Sequence, residues 1–349
     1  AATTRALLTR PHGPYLDRVR TRTVPTTAPP TEGVRSVTRG ATDEELLARW
    51  RDEPAPLLPL LHAFHDRDDF LSDDALRFVS EGLRIPLAEL YGTVTFYHHF
   101  ARKPGGRGES RVCTGPVCLQ RGAEELADAL EARGETVSRM PCPGRCDEPV
   151  PVLRGTLVVT GSGPDDLSNG PTPLPAPAAE GVEECVFQHI RAPGRATLEG
   201  YRATGGYEAL GHAVAHPPAA LIDTLDASGL AGRGGAGFPT GRKWRAVAEA
   251  DGHPKTIVCN ADEGEPGCFK DRVLMDHDPF ATIEGMTLAA YATGATLGFI
   301  YLRYEYPDTL EVLETAIAEA EAAGLLGASI LGRDGFDFRL LVRRGAGAY

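Results

Sequence analysis

The chain has 349 residues, 42% hydrophobic and 24% charged, with 40 Gly, 28 Pro and 7 Cys. That composition is globular and excludes a collagen-like, wholly disordered or disulfide-dense miniature fold. The 36 Lys and Arg against 48 Asp and Glu leave a net charge of −12, which gives no general attraction to nucleic acid or anionic membrane. At ~100–200 residues per domain the length predicts two domains. The longest charge-free run, Gly285–Leu302, is diluted by Gly and Thr. It falls short of the ~20 predominantly apolar residues of a membrane span, so direct membrane insertion is not expected. No charged-then-apolar leader opens the chain, and a soluble cytoplasmic protein is expected. In that compartment seven cysteines point to metal or redox chemistry before disulfides.

Residues 1–40 are rich in Arg, Pro and Thr without an apolar period and read as a tail or linker. Order begins at Thr42-Asp-Glu-Glu45, which has the form of a capping box ahead of Leu46, Leu47 and Trp50. Helical patterns over Leu57–Phe64, Asp73–Gly82 and Pro86–Tyr91 complete a small helical head. After a Gly-rich turn the texture changes to a strand at Ser110–Cys113 and a helix over Arg121–Arg133. Strands at Glu135–Met140, Val150–Leu153 and Leu157–Thr160 follow. Residues 41–160 thus predict the head plus a β-α-β-β domain. Residues 161–189 form a Pro/Gly-rich linker. Beyond it, residues 190–349 alternate helix and strand. Helices are expected at Leu198–His212, Ala219–Ala227, Lys243–Ala250, Pro279–Thr293 and Pro307–Ala323. Strands are expected at Thr256–Asn260, Ala295–Tyr301 and Phe336–Val342. That order predicts an α/β layer with a largely parallel sheet. The chain stops just after a strand, at Gly345-Ala-Gly-Ala-Tyr349, which is expected of a truncated domain.

Four cysteines form two pairs, Cys113-Thr-Gly-Pro-Val-Cys118 and Cys142-Pro-Gly-Arg-Cys146, both in Gly/Pro turns at strand ends. Such turns aim backbone N–H groups at sulfur, and four thiolates hold an iron–sulfur cluster. By spacing alone a zinc site and unligated buried cysteines stay open. Cys185, Cys259 and Cys268 lack partners at metal spacing and read as bystanders. His62, His65, His98 and His99 read as packing or surface residues.

Three strings in order resemble the thioredoxin-like 2Fe–2S subunit of respiratory complex I and its relatives. They are Leu90-Tyr-Gly-Thr-Val-Thr-Phe-Tyr97, Val112-Cys-Thr-Gly-Pro-Val-Cys-Leu-Gln-Arg-Gly122 and Cys142-Pro-Gly-Arg-Cys146. The resemblance implies a helical head, a thioredoxin-like ferredoxin domain and a 2Fe–2S cluster on Cys113, Cys118, Cys142 and Cys146. It covers roughly residues 42–160. The stretch between Cys118 and Cys142 is shorter than usual in that family. Pro143 stands where Leu is usual, and Pro149-Val150 replaces an Ala-Pro pair.

A second constellation is Gly232-Arg-Gly-Gly-Ala-Gly-Phe-Pro-Thr-Gly-Arg-Lys-Trp244. Glycines let the backbone approach a ligand closely, and successive N–H groups can cradle an anion. Gly232, Gly234 and Gly237 fit a dinucleotide fingerprint by letter, but a helix rather than a strand is expected before them. An ordinary Rossmann dehydrogenase is therefore disfavoured, while a flexible surface loop stays open. Nearby, Cys259-Asn-Ala-Asp-Glu-Gly-Glu-Pro-Gly-Cys268 puts Asn260, Asp262, Glu263 and Glu265 at a strand's carboxyl end, where α/β sheets bind ligands. Those carboxylates suit ribityl or ribose hydroxyls, magnesium, or simply a solvated acidic turn.

Together these strings, with Tyr301-Leu-Arg-Tyr-Glu-Tyr306 and the terminal Gly-Ala-Gly-Ala-Tyr349, closely resemble the FMN- and NADH-binding subunit of the same enzyme group. That subunit occurs in complex I, NAD-reducing hydrogenases and NAD-dependent formate dehydrogenases. The resemblance implies a Rossmann-like α/β FMN-binding domain, here incomplete, fused to the ferredoxin module as in soluble diaphorases. It places Gly232, Arg233, Gly234, Gly235, Lys243, Asn260, Asp262, Glu263 and Tyr349 at the flavin, and Phe238 and Glu265 at the nicotinamide dinucleotide. Glu265 is the expected catalytic-site residue, orienting the nicotinamide ribose or carboxamide. Tyr304 stands where Gly is usual, and Ala246 where an aromatic often stacks adenine. The family's later 4Fe–4S motif would lie beyond Tyr349. The implied activity is diaphorase chemistry, passing electrons between NAD(H), FMN and iron–sulfur clusters inside a multisubunit oxidoreductase. The competing expectation is a non-catalytic remnant that scaffolds partner subunits.

Overall fold

A computed structural model describes residues 40–106, 108–233 and 235–347. The expected tail before Gly40 and the expected flavin contacts Gly234 and Tyr349 lie outside the described residues. Helix α1 (Asp43–Trp50) starts on the expected capping box. Thr42 Oγ1 accepts the Glu45 N–H at 3.2 Å, and the Glu45 carboxylate accepts the Thr42 N–H at 2.8 Å. Helices α2 (Leu57–Asp68), α3 (Asp73–Leu83) and α4 (Leu87–Phe96) follow, α3 capped by Ser72. Leu60, Leu61, Phe64, Leu76, Val79 and Leu90 close their core, which also takes in Ala346 from the other end of the chain.

The next unit comprises β1 (Ser110–Cys113), α5 (Pro116–Leu119), α6 (Ala123–Ala132), β2 (Val137–Met140), β3 (Pro151–Arg154) and β4 (Leu157–Thr160). Its sheet order is β2-β1-β3-β4. β1 and β2 are parallel, as the α6 crossover requires, whereas β3 pairs antiparallel with both β1 and β4. Leu126, Ala127 and Leu130 of α6 bury against the strands with Val112, Val152 and Val158. The expected β-α-β-β order is present, with α5 as an added turn.

The third unit carries α7 (Leu198–Ala203), α8 (Glu208–Val214), α9 (Pro218–Ser228), α10 (Thr240–Glu249) and β5 (Thr256–Ala261). Then come α11 (Lys270–His277), α12 (Pro279–Thr293), β6 (Leu297–Leu302), α13 (Pro307–Ala322) and β7 (Arg339–Arg344). Strands β5, β6 and β7 pair in that order, all parallel, with Asn260, Tyr301 and Arg343 in register near their carboxyl ends. Two expectations need correction. The single helix over Leu198–His212 is two helices, because Gly205 has φ +91° and the Tyr201 ring fills the space a side chain on Gly206 would need. Buried Glu284 of α12 satisfies the second start, accepting the Tyr207 and Leu210 N–H groups at 2.9 and 3.0 Å. Helix α11 is the second correction. Its sequence has no clear apolar period, and its first N–H groups are held by the carboxylate of Glu263, eight and nine residues earlier in the preceding turn.

Tyr304 joins the three units. It follows β6, yet its buried ring belongs to the core of the β1–β4 unit. The ring stacks on His99 of the head at 4.5 Å, and its hydroxyl donates to the Gly155 carbonyl at 3.1 Å. Removing this ring leaves a cavity at the junction. Tyr304→Ala is expected to cost about 3 kcal/mol in urea unfolding, whereas Tyr304→Phe costs about 1 kcal/mol, the worth of one hydrogen bond.

Candidate functional site

The three parallel strands run toward one edge, and the chain leaves that edge in three places. After β5 comes the acidic turn from Asp262 to Gly267, after β6 the segment Arg303-Tyr-Glu-Tyr306, and after β7 the segment Gly345-Ala-Gly347. The head and the cysteine loops pack against this edge. His98 and His99 donate their backbone N–H groups to the Gly347 and Ala346 carbonyls at 3.1 and 2.9 Å. His62 Nε2 lies 2.9 Å from the Gly345 carbonyl, and the Tyr97 and Tyr301 hydroxyls are 2.7 Å apart.

The four paired cysteines converge. Cys113, Cys118 and Cys142 are buried, and the sulfurs of Cys142 and Cys146 are 3.3 Å apart. The Gly115 N–H points at Cys113 Sγ from 3.3 Å and the Gly144 N–H at Cys142 Sγ from 3.4 Å. As free thiols, Cys113, Cys142 and Cys146 resist ionisation. The Cys118 hydrogen bond and burial push Cys113 up to about 12, the Cys113 thiol and burial push Cys142 up to about 12, and burial pushes Cys146 up to about 11. A largely buried four-sulfur set with glycine N–H donors aimed at it fits iron–sulfur ligation, since a metal supplies the positive charge that turns each thiol into a thiolate.

At the head of this edge lies a buried charge network. Arg303 is 2% exposed. It donates to the Cys142 carbonyl at 2.6 Å and to the Glu263 carbonyl, and pairs with Glu305 at 3.3 Å. Glu305 meets His99 Nε2 at 3.0 Å, while Arg111 contacts His99 Nδ1. With Arg111 donating to Nδ1, the His99 proton sits on Nε2 and the ring is neutral, in line with the burial that lowers its pKa. Burial opposes ionisation of Glu305, but the His99 hydrogen bond and the Arg303 charge outweigh it and hold the carboxyl at about 2. His98, His99 and Glu305 stand close enough to share a cation. Two guanidinium groups already contact His99 and Glu305, so this is an ion-pair network.

The expected cofactor residues divide. Asn260 is exposed at the end of β5, and its side-chain oxygen accepts the Asp262 N–H at 3.1 Å. Asp262 is half-buried, its pKa raised by burial against the pull of Arg303. Glu265 is exposed. Glu263 differs: its buried carboxylate takes Lys270 Nζ at 2.9 Å and the Asp271 N–H at 3.1 Å, so it holds the start of α11. The glycine loop follows helix α9, as expected, and is closed by Gly232 N–H to the Phe238 carbonyl at 2.8 Å and Thr240 N–H to the Leu230 carbonyl at 2.9 Å. Between these ties Arg233, Gly235 and Phe238 are open to solvent, with Gly235 at φ +48° and no atom near a built Cβ. Helix α10 then begins without a side-chain cap and carries exposed Lys243 on its first turns. Exposed glycine backbone, an uncapped helix start and two cations are groups that can receive an anion.

Comparison with known proteins agrees with this geometry. Residues 44–154 match the family model of the thioredoxin-like 2Fe-2S ferredoxin, and residues 225–349 that of the Nuo51 FMN-binding domain. The chain joins a thioredoxin-like 2Fe-2S ferredoxin domain to a Nuo51 FMN-binding domain. It is 34% identical over 332 residues to the NAD-reducing hydrogenase HoxS subunit alpha of Cupriavidus necator, covering 87% of this chain and 55% of that one. It is 48% identical over 168 residues to an NADH-quinone oxidoreductase subunit of Rhizobium meliloti, 48% of this chain and 40% of the relative. Among solved structures, an NAD+-reducing NiFe-hydrogenase in its H2-reduced state superposes with a TM-score of 0.65 at 27% identity, covering 84% of this chain and 52% of that one. The chain therefore spans about half the length of these relatives. No helix among the described residues is long and apolar enough to cross a membrane.

Sequence reasoning assigned no role to Arg303, Glu305 or Arg272, although opposite charges at the carboxyl end of an apolar strand were a usable signal. The depressed carboxyl of Glu305 has a testable consequence for the FMN-binding domain. Its folded pKa, about 2, lies below its ordinary 4.5. Its stabilisation is therefore complete above pH 4.5 and is lost as pH falls toward 2. Between those limits the wild-type chain is expected to lose about 3 kcal/mol more than Glu305→Gln, read from urea midpoints at each pH. Parallel pH profiles would show that Glu305 is not the buried ion seen here.

Proposed function

We propose that this chain is an electron-entry module of diaphorase type, exchanging two electrons with NAD(H) at an FMN site and single electrons with a 2Fe–2S cluster. The observation that carries the reading is the meeting of two sites on one sheet edge: the acidic turn after β5 and the cysteine loop are tied together by Arg303. FMN, when bound, supplies the chemistry that neither protein side chains nor clusters can, taking a hydride and releasing electrons singly.

The chain's own residues then bind, orient and shield. The Gly232–Gly237 loop and the uncapped start of α10 hold the flavin phosphate, with Arg233 and Lys243 neutralising it. Asn260 and Asp262 accept from ribityl hydroxyls, and Tyr349 follows in sequence the Gly345–Gly347 segment on the same edge. Glu263 acts one step back, fixing α11 and, through its backbone carbonyl, Arg303. Glu265 and Phe238, both exposed, are left to meet the nicotinamide dinucleotide. Cys113, Cys118, Cys142 and Cys146 ligate the cluster. No side chain need act as an acid or nucleophile.

By likeness to hydrogenase and NADH-quinone oxidoreductase subunits, the chain works in the cytoplasm beside other subunits of an NAD-linked dehydrogenase or hydrogenase. A 4Fe–4S cluster belongs to the part of the family that this chain does not span.

The decisive test is the visible spectrum of the purified chain after reconstitution with FMN, iron and sulfide. A flavin band with a broad iron–sulfur shoulder, both bleached by NADH, is expected, and a colourless protein would leave only a scaffold. Separately, Glu265→Gln is expected to weaken the Kd for NADH roughly tenfold while FMN binding is unchanged. That is the worth of one charge-assisted hydrogen bond, ~1.5 kcal/mol.

A further inference from the structure

The second pair of cluster cysteines sits on a loop that its own domain only partly holds. Residues Cys142–Glu148 are gripped from across the domain boundary by two buried arginines and a tyrosine. Arg303 donates to the Cys142 carbonyl at 2.6 Å. Arg272, with no exposed surface, donates to the Gly144 carbonyl at 3.3 Å and to Asp147 at 2.5 Å. The Tyr306 hydroxyl donates to the same Gly144 carbonyl at 3.5 Å. A Cβ on Gly144 would fall 2.1 Å from the Tyr306 hydroxyl oxygen, so the Tyr306 side chain reaches this loop only because position 144 is Gly.

These donors differ in charge. Arg272 is offset by Asp147, Glu148 and Asp276, all within 3.9 Å. Arg303 faces Glu305 at 3.3 Å and Asp262 at 3.9 Å, and it is the guanidinium bonded to a cluster ligand's own carbonyl. An iron–sulfur cluster on four thiolates is anionic, and reduction adds one further negative charge without a proton. A cation or N–H donor beside the ligands therefore stabilises the reduced cluster more than the oxidised one.

We propose that the FMN-type domain completes the cluster site of the ferredoxin domain: Arg303, acting across the boundary, positions the Cys142–Cys146 loop and raises the cluster's affinity for an electron. The inference rests on the cluster reading above and adds that the cluster potential is set by the docked second domain. Arg303 is a positioning residue, acting through Cys142. The redox step is the uptake of one electron from dithionite by a ferric iron of the bound cluster, which becomes ferrous.

The test is a mediated redox titration of the full chain with reconstituted cluster, followed by the electron paramagnetic resonance of the reduced state. Arg303→Gln is expected to lower the equilibrium constant for reduction roughly tenfold, about 59 mV more negative for one electron. Arg303→Lys, which keeps the charge, recovers most of that loss. Glu305→Gln removes the opposing charge and is expected to shift the constant the other way. Opposite shifts from the two neutral variants support the proposal, because a role in packing alone lowers the melting temperature of both and moves neither potential. Should Arg303→Gln fail to fold, the sign of the Glu305→Gln shift decides. Constants within about twofold of wild type in the folded variants overturn the proposal and leave the cluster reading intact. A wild-type chain that takes up no iron overturns both.

Discussion

A single buried guanidinium sets the terms for the rest of this molecule. Arg303 cannot be desolvated without partners, and the fold gives it partners from separate parts of the chain: the Cys142 carbonyl, the Glu263 carbonyl and the Glu305 carboxylate. Each partner is fixed in turn. Glu305 is held by His99 of the head, Glu263 by the start of α11, and Cys142 by its loop. Losing Glu305 removes the nearest counter-charge and losing either carbonyl leaves a buried N–H unsatisfied, so the packing of the units is coupled to satisfying one cation.

The same edge explains why the chemistry gathers where it does. Parallel strands leave their carboxyl ends on one side, and three connections emerge there with short polar sequences that cannot be buried alone. The ferredoxin and head units cover part of that edge and leave Asn260 at the end of β5 and Glu265 of the acidic turn exposed beside it. Tyr304 fills the remaining gap with an aromatic ring between His99 and the ferredoxin core. A glycine there would leave the junction underpacked. In a chain that carries both domains, a ring at that position has a fixed neighbour to pack against.

The relatives that match are subunits of multicomponent oxidoreductases, and this chain spans about half of each. Within that span the ferredoxin and FMN-binding modules already share buried polar contacts rather than a bare linker. The Pro-rich connection is itself tied down, with Thr172 bonded to Arg272 at 2.6 Å and its carbonyl 2.9 Å from His277 Nε2.

Element order, the paired cysteines and the glycine and acidic turns could be read from the residues alone, because each rests on local chemistry. Capping residues, apolar period and turn glycines act within a few residues of themselves. Hence the capping box at Thr42 and the strand at Ser110–Cys113 were legible, as was the helix rather than strand before Gly232. The remaining features exist only once the units are packed together. Helix α11 needed the buried Glu263 carboxylate folded back onto its start, and the break between α7 and α8 needed the Tyr201 ring and Glu284. The role of Arg303 needed a carbonyl far away along the chain. Those outcomes depend on which distant group satisfies a buried polar atom, and no local pattern records that choice.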